Sequence, residues 1–227
     1  MTQGVSKMGV HILDIYRTSS IGIFLRSNDK HLLIPPGISP SKTKKLGSYM
    51  DATTTVISIA GSRLLGPLSV MNGKGVVISK LAEDGEIDVI KRATGLRVER
   101  LNSQYTSVGN LVAANDNGAV VSKILGKEAI SEISEVLDVP VKMMEVASYV
   151  QVGSVITASN AGAIVHPGAT EEQVGEIEDI LKVEVEPATV NRGVPLVSSG
   201  AVLNSKNMMV GSLTSGPELM ILGRAMP

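Results

Sequence analysis

A repeat of about 44 residues is the strongest constraint on this chain. Glycines stand at Gly22, Gly66, Gly109 and Gly153, and Ser198 holds the fifth place; the spacings read from those numbers are 44, 43, 44 and 45. A period of this size marks a protein assembled from copies of one small unit, none of which buries its apolar face alone. Six residues after each of these positions a turn begins, at Asn28, Asn72, Asn115, Ser159 and Asn204. Asparagine favours a turn start because its side chain bonds the backbone just ahead. Three residues further stand His31, Gly75, Gly118, Gly162 and Asn207. Glycine, and less readily asparagine, accepts the positive φ that closes a tight hairpin, so this column is expected to be left-handed, with His31 its poorest fit.

Short apolar runs flank each turn. Those that follow are Leu32-Leu33-Ile34, Val76-Val77-Ile78, Ala119-Val120-Val121, Ala163-Ile164-Val165 and Met208-Met209-Val210; Leu111-Val112-Ala113 is one that precedes. Each repeat therefore opens with a β-hairpin. A helix comes next. Lys127 to Leu137 puts Ile130, Ile133, Val136 and Leu137 on one face, and Glu171 to Leu181, capped by Thr170, does the same with Val174, Ile177, Ile180 and Leu181. Weaker helices are predicted near Ser41–Met50 and Glu86–Ala93, and one begins near Pro217. Third strands are predicted at Thr54–Ile59, Leu96–Leu101, Val141–Val146 and Val183–Ala188. The fifth repeat lacks one, whereas Val10 to Tyr16 is strand-like and has no hairpin of its own. Placing it in the vacant slot clasps the two ends and leaves no strand edge unpaired. The expectation is an α/β (α+β) ring of five β-β-α-β units in one domain, 1–227, with repeats at about 17–60, 61–103, 104–147, 148–192 and 193–227, the last completed by 9–16.

The composition closes off several function classes. With no cysteine there is no disulfide, thiolate metal site or cysteine nucleophile. Lys and Arg total 21 against 22 for Asp and Glu, and the aromatics are four tyrosines and one phenylalanine; neither the charge nor the stacking platforms of a free-standing nucleic-acid binder are present. No apolar run nears the roughly 20 residues of a membrane span, and Met1 to Gly9 lacks a signal-peptide core, so a soluble, cytoplasmic protein is expected. His11, His31 and His166 fall in different repeats without ligand spacing. Asn72-Gly73-Lys74-Gly75 lacks the full phosphate-loop pattern and reads as a hairpin turn, and Ser198-Ser199-Gly200 is no nucleophile elbow. Lys42, Lys44 and Lys45 read as a solvated helix face that could also meet RNA phosphates. No catalytic, cofactor-binding or metal-binding residue is predicted.

One layer of residues stands apart. Equivalent positions in a ring share a face, and the repeat glycines carry with them Gly66-Pro67, Gly109-Asn110, Gly153-Ser154-Val155 and Asn191-Arg192-Gly193 leading to Leu196. This set is small, low in charge and mixed polar-apolar, as a flat protein contact would be; the glycines would equally let strands crowd an axis. Asn110, Val155 and Leu196 are expected at the surface of that layer.

Several stretches resemble the translation initiation factor 6 family, archaeal type. They are Ser58-Ile59-Ala60-Gly61-Ser62-Arg63-Leu64-Leu65-Gly66, Ser107-Val108-Gly109-Asn110, Asn115-Asp116-Asn117-Gly118-Ala119-Val120-Val121 and Thr189-Val190-Asn191-Arg192-Gly193-Val194-Pro195-Leu196. Asn204-Ser205-Lys206 and Thr214-Ser215-Gly216-Pro217-Glu218-Leu219 add to them. Their order and spacing, from about Ile21 to Leu222, carry the resemblance. It implies the pentein fold, a five-fold pseudosymmetric α/β propeller, acting as a monomer without a cofactor. It also implies a ribosome anti-association factor that caps the large ribosomal subunit through an L14-type protein, beside an L24e-type protein and the sarcin–ricin loop, and sterically blocks the small subunit. A role in large-subunit maturation, and release by a GTPase and a partner factor, are implied with it. The family's ribosome-facing surface resembles the layer above at Asn110, Val155 and Leu196. Two alternatives remain at this point: a pentein hydrolase with a non-cysteine nucleophile, and a ring-shaped scaffold unrelated to ribosomes.

Overall fold

The computed structural model describes residues 9–225; Met1 to Met8, on which the signal-peptide reading mostly rests, lie outside them. Five three-stranded sheets share one internal order. In each, the middle strand pairs antiparallel with the strand before it and parallel with the third. Val76, for example, sits opposite Met71 on one side and Val98 on the other. An antiparallel step needs only a tight turn, but a parallel step needs a crossover. Helices of eleven residues supply it at Pro40–Met50, Asp84–Thr94, Lys127–Leu137 and Glu171–Leu181. The first two are as long as the others rather than weaker. Each has a strong start: the Ser39 hydroxyl accepts the Lys42 N–H ahead of Pro40, and Glu83 and Glu86 cap each other's backbone.

The fifth sheet draws its third strand from the other end of the chain. Gly9–Leu13 runs parallel to Asn207–Gly211, from Gly9 opposite Asn207 to Leu13 opposite Gly211. This strand ends before Tyr16, and third strands elsewhere also stop short of their expected ends. The reason is a second tight turn just beyond: Ile15 bridges Thr18, Ile59 bridges Ser62, Val146 bridges Tyr149 and Val190 bridges Val194.

The hairpin turns hold by a different rule from the one expected. Among the described residues, none of His31, Gly75, Gly118, Gly162 and Asn207 has positive φ. The turn instead closes on the asparagine carbonyl oxygen: Asn72 Oδ1 accepts the N–H groups of Lys74 and Gly75, both at 2.9 Å, and Asn28, Asn115 and Asn204 repeat the pattern. Without a conformational demand on the third residue, His31 and Asn207 fit as well as glycine. Gly75 and Gly118 answer a packing demand, since a Cβ there would overlap the carbonyl oxygen of Val136 or Ile180 in the next repeat's helix. The asparagine amide reaches that same neighbour. Asn72 Nδ2 donates to Asn115 O at 3.1 Å and Leu137 O at 2.8 Å, and Asn115 Nδ2 to Ser159 O at 3.0 Å and Leu181 O at 2.8 Å. One side chain thus shapes its own turn and caps the next repeat's helix.

The repeat positions fall at the second residue of single helical turns, Ile21–Ile23, Leu65–Leu68, Val108–Leu111, Val152–Val155 and Val197–Gly200. Here backbones touch. A Cβ on Gly66 would overlap Gly22 O, one on Gly109 Gly66 O, one on Gly153 Gly109 O, and one on Gly22 Ser198 O. Ser198 fits because its hydroxyl donates to Ser154 O at 3.1 Å. The apolar core is correspondingly divided into five clusters, each drawing on two successive repeats: Ala113 and Val120 join the fourth repeat's cluster, and Val202 and Met209 of the fifth join the first's.

Gly109→Ala should therefore destabilise the protein by about 3 kcal/mol or more, because the obstacle is backbone that has no rotamer to yield. Gly175→Ala, inside the helix Glu171–Leu181 with nothing within 4 Å of its added Cβ, should stabilise by about 0.5–1 kcal/mol. Urea denaturation of the two variants beside the native protein checks both signs.

Candidate functional site

The turns at the ends of the third strands are the most strained backbone in the molecule. Tyr16 and Arg17 have φ of 51° and 63°, Ala60 and Gly61 54° and 67°, Ala147 and Ser148 50° and 67°, and Asn191 and Arg192 52° and 65°, with Gly193 at 99°. Two consecutive positive φ values make a hairpin turn that suits glycine and asparagine, yet most of these residues are neither. Each non-glycine residue held there costs about 1 kcal/mol or more.

Helix N-termini supply the compensation. Glu86, third residue of its helix, accepts N–H bonds from Ala60 at 2.7 Å and Gly61 at 3.0 Å, and a hydroxyl bond from Ser58 at 2.8 Å. Glu218 does the same with the N–H groups of Arg192 at 3.1 Å and Gly193 at 2.8 Å and the Thr189 hydroxyl at 2.8 Å. Gln173 grips Ala147 N–H at 3.2 Å. All three also close capping boxes on their own helices. The other two repeats lack such an acceptor. In the third the equivalent residue is Ala129, and no left-handed turn forms. In the first it is Lys42, whose Nζ donates to Asp14 O, and the turn at Tyr16 and Arg17 forms all the same. Burial pushes the Glu86 and Glu218 carboxyls up, but their N–H and hydroxyl donors outweigh it. Glu86 lies below the usual carboxylate range, and Glu218 is held down to about 2.

These turns lead straight into the five short helices, and their residues make one distinctive surface. The segments 16–20, 60–64, 103–107, 147–151 and 191–196 contain three arginines, Arg17, Arg63 and Arg192, and no aspartate or glutamate. All three arginines are exposed, as are Leu64, Tyr149, Gln151 and Leu196. Tyr16 packs edge-on to Phe24 at 5.1 Å, and the Arg63 guanidinium sits over the Tyr16 ring at 5.1 Å, so this corner is built of fixed rings and a stacked cation.

The predicted site residues divide between this surface and the core beneath it. Leu196, Arg192 and Gly193 are exposed, and Pro67, Asn110 and Ser154 partly so. Gly66, Gly109 and Gly153 are buried where the backbones touch. Asn191 is buried as well, donating through Nδ2 to Ser19 O at 3.0 Å. Val155 corrects an expectation: it is fully buried. In Val108–Leu111 and Val152–Val155 the third residue is part-exposed and the fourth buried, so the match for Asn110 one repeat later is Ser154, while Val155 matches the buried Leu111. Sequence reasoning looked just after each repeat glycine and so missed Leu64 and Gln151. The signal was two places before it, where Leu64, Gln151 and Leu196 line up.

The other candidates stay apart. His11 stacks on Tyr49 at 4.0 Å, while His166 lies 5.1 Å from Tyr149 and takes the Gly168 N–H on Nδ1 at 2.8 Å. Lys45 lies over Tyr49, and Lys42 Nζ donates to Asp14 O. Among the described residues no group of three or more His, Asp and Glu is placed to hold a metal ion, and no helix is long and apolar enough to cross a membrane.

The turns and short helices place these side chains on comparable positions of five like units. Comparison with known proteins gives the family. The model of the eIF-6 family matches residues 10–225. Translation initiation factor 6 of Nitrosopumilus maritimus (strain SCM1) is 49% identical over 218 residues, covering 96% of this chain and 99% of its own. The factor of Cenarchaeum symbiosum (strain A) is 44% identical over the same shares, and that of Natronomonas pharaonis 43% over 89% of this chain and 91% of its own. The chain belongs to the eIF-6 family, and it is a translation factor of archaeal type.

The turn clamp makes the stability pH-dependent. Glu218 has a folded pKa below its unfolded value of about 4.3, so its contribution is complete above that value and is lost as the pH falls toward 2. Glu218→Gln should cost about 2 kcal/mol at pH 7, and its deficit against the native protein should shrink steadily between about pH 5 and pH 2. Urea titrations across that range read it directly; an equal deficit at every pH would mean that the carboxylate charge is not what holds the turn.

Proposed function

We propose that the five repeats form one closed domain, an α/β propeller of the pentein type, and that the face carrying Arg17, Arg63, Leu64, Tyr149, Arg192 and Leu196 docks on the large ribosomal subunit. What supports the ring is the circuit of contacts from each short helix to the next and from Gly22 back to Ser198. Deletion of residues 1–13 would then remove the fifth repeat's third strand and leave Asn207–Gly211 an unpaired edge. Aggregation, or a melting temperature lowered by about 10 °C or more, is the expected outcome.

The bound ring acts as an anti-association factor. It occupies space the small subunit needs, so the mechanism is steric and uses no catalysis and no cofactor. Its contacts are an L14-type ribosomal protein, with an L24e-type protein and the sarcin–ricin loop adjacent. It works in the cytoplasm as a monomer, serves subunit maturation as well as initiation, and is released by a GTPase with a partner factor. The observation that carries this reading is the surface chemistry: exposed apolar residues and three exposed arginines on turn segments that contain no aspartate or glutamate, on a chain whose net charge is −1. Apolar anchors with arginine are the usual make-up of an interface centre, and a face of that sign is suited to a particle rich in phosphate.

Leu196→Arg and a paired Arg63→Glu, Arg192→Glu variant should each weaken binding to purified large subunits by about 2 kcal/mol, roughly thirtyfold, with thermal melts unchanged. Glu172→Lys and Lys127→Glu, on the outer helices, should bind as the native protein does. Co-sedimentation through sucrose decides it. Loss of binding in the helix variants with retention in the others would put the contact on the outside of the ring.

A further inference from the structure

One part-buried charge on the first strands, Arg26, has no ion-pair partner among the described residues. Arg26 stands on the first strand of the first repeat, four residues after Gly22. At the same place the other repeats have Val70, Ala113, Thr157 and Val202. These five side chains line a cavity of about 30 Å³ on the inner side of the first strands. Arg26 Nη2 donates to Gly66 O, while its Nε is buried without a hydrogen-bond partner. No carboxylate lines the cavity, and no ion pair to Arg26 is present among the described residues. Burial holds the guanidinium below its ordinary value, at about 10, which leaves it charged at neutral pH.

Two acids at the turn end of the same strands are already committed. Asp29 and Asp116 stand at the turn end of the same interior, where Asn160 Nδ2 bridges them at 2.9 and 2.8 Å. Asp29 also takes the Ser205 N–H at 2.7 Å and hydroxyl at 2.8 Å, and Asp116 the Gly73 N–H. These bonds tie all five repeats together across the turn end and leave Arg26 to find its own partner.

We propose that the cavity is a binding site for a single chloride-sized anion, held by the free guanidinium N–H donors of Arg26. The Arg26 side chain is part-buried, with its Nε fully buried and unpartnered, and a guanidinium offers five donors, of which one is used by the protein. A donor left buried without a partner is costly. Size selects the ligand. Space for a water needs about 10–15 Å³ on this measure, so the cavity takes one halide with a water and excludes phosphate esters and carboxylic acids. Ala113 and Thr157, the smallest residues of the column, leave that space. The anion serves stability: it neutralises the one charge that four strands from other repeats surround.

The test uses the full chain. Crystals grown in sodium bromide should give an anomalous peak within hydrogen-bonding reach of the Arg26 guanidinium. Melts in sodium chloride or bromide should run about 3 °C above melts in sodium gluconate of equal ionic strength, because gluconate is too large to enter. Arg26→Met should abolish the difference. No anomalous peak in the cavity overturns the proposal, and the guanidinium is then balanced through water by Asp29 and Asp116. Should the Arg26→Met protein fail to fold, the anomalous map of the native protein decides alone.

Discussion

Backbone-to-backbone contact at the five short helices governs the rest of the molecule. Each repeat presses its second helical residue against a carbonyl of the repeat before it, at a distance that admits no side chain at four of the five places. Everything else about a repeat is measured from that contact. The first strand leaves it toward the hairpin, and the asparagine at the hairpin reaches the next repeat with its amide. The eleven-residue helix then packs against the turn that its neighbour has made. Two rows of short-range contacts, one at the helices and one at the turns, hold successive units at a fixed angle, and the apolar clusters fill the space between the rows.

The elements of the repeat were legible because they rest on local chemistry. Lys127–Leu137 and Glu171–Leu181 appear as the 3.6-residue spacing and the Thr170 cap predicted them. Pairing of the N-terminal strand with Asn207–Gly211 was legible by elimination, from a strand without a hairpin and a hairpin without a third strand. What sequence alone misjudged was the reason for glycine. At Gly75 and Gly118 a local rule about φ pointed to the right residues for the wrong cause, since the demand comes from a helix more than 60 residues away. Long-range packing leaves no mark on a single repeat, and two exceptions, His31 and Asn207, were the only trace of it.

The surface was less legible for a related reason. A single turn of helix shows no period, so nothing in the sequence separates the outward Asn110 and Ser154 from the inward Leu111 and Val155. The left-handed turns were hidden as well. Tyr16, Arg17, Ala147 and Ser148 are poor residues for positive φ. Acceptors some 26 residues later, Glu86, Gln173 and Glu218, hold the turns at Ala60, Ala147 and Arg192, whereas the turn at Tyr16 has Lys42 at that place. Strain at these places is offset by buried hydrogen bonds from another element, which is the pattern expected where a backbone must present specific side chains rather than relax.

Near-symmetry poses a problem for recognition that the differences between repeats resolve. Five identical corners would offer a partner five equivalent orientations. The corners here are unlike: Arg17 with stacked Tyr16 and Phe24 in the first, Arg63 and Leu64 in the second, Tyr149 against His166 in the fourth, and Arg192 with Leu196 in the fifth. The third has neither an arginine nor a left-handed turn. The backbone contacts between short helices are alike from repeat to repeat while the corner side chains differ, so orientation can be specified by the corners without disturbing those contacts.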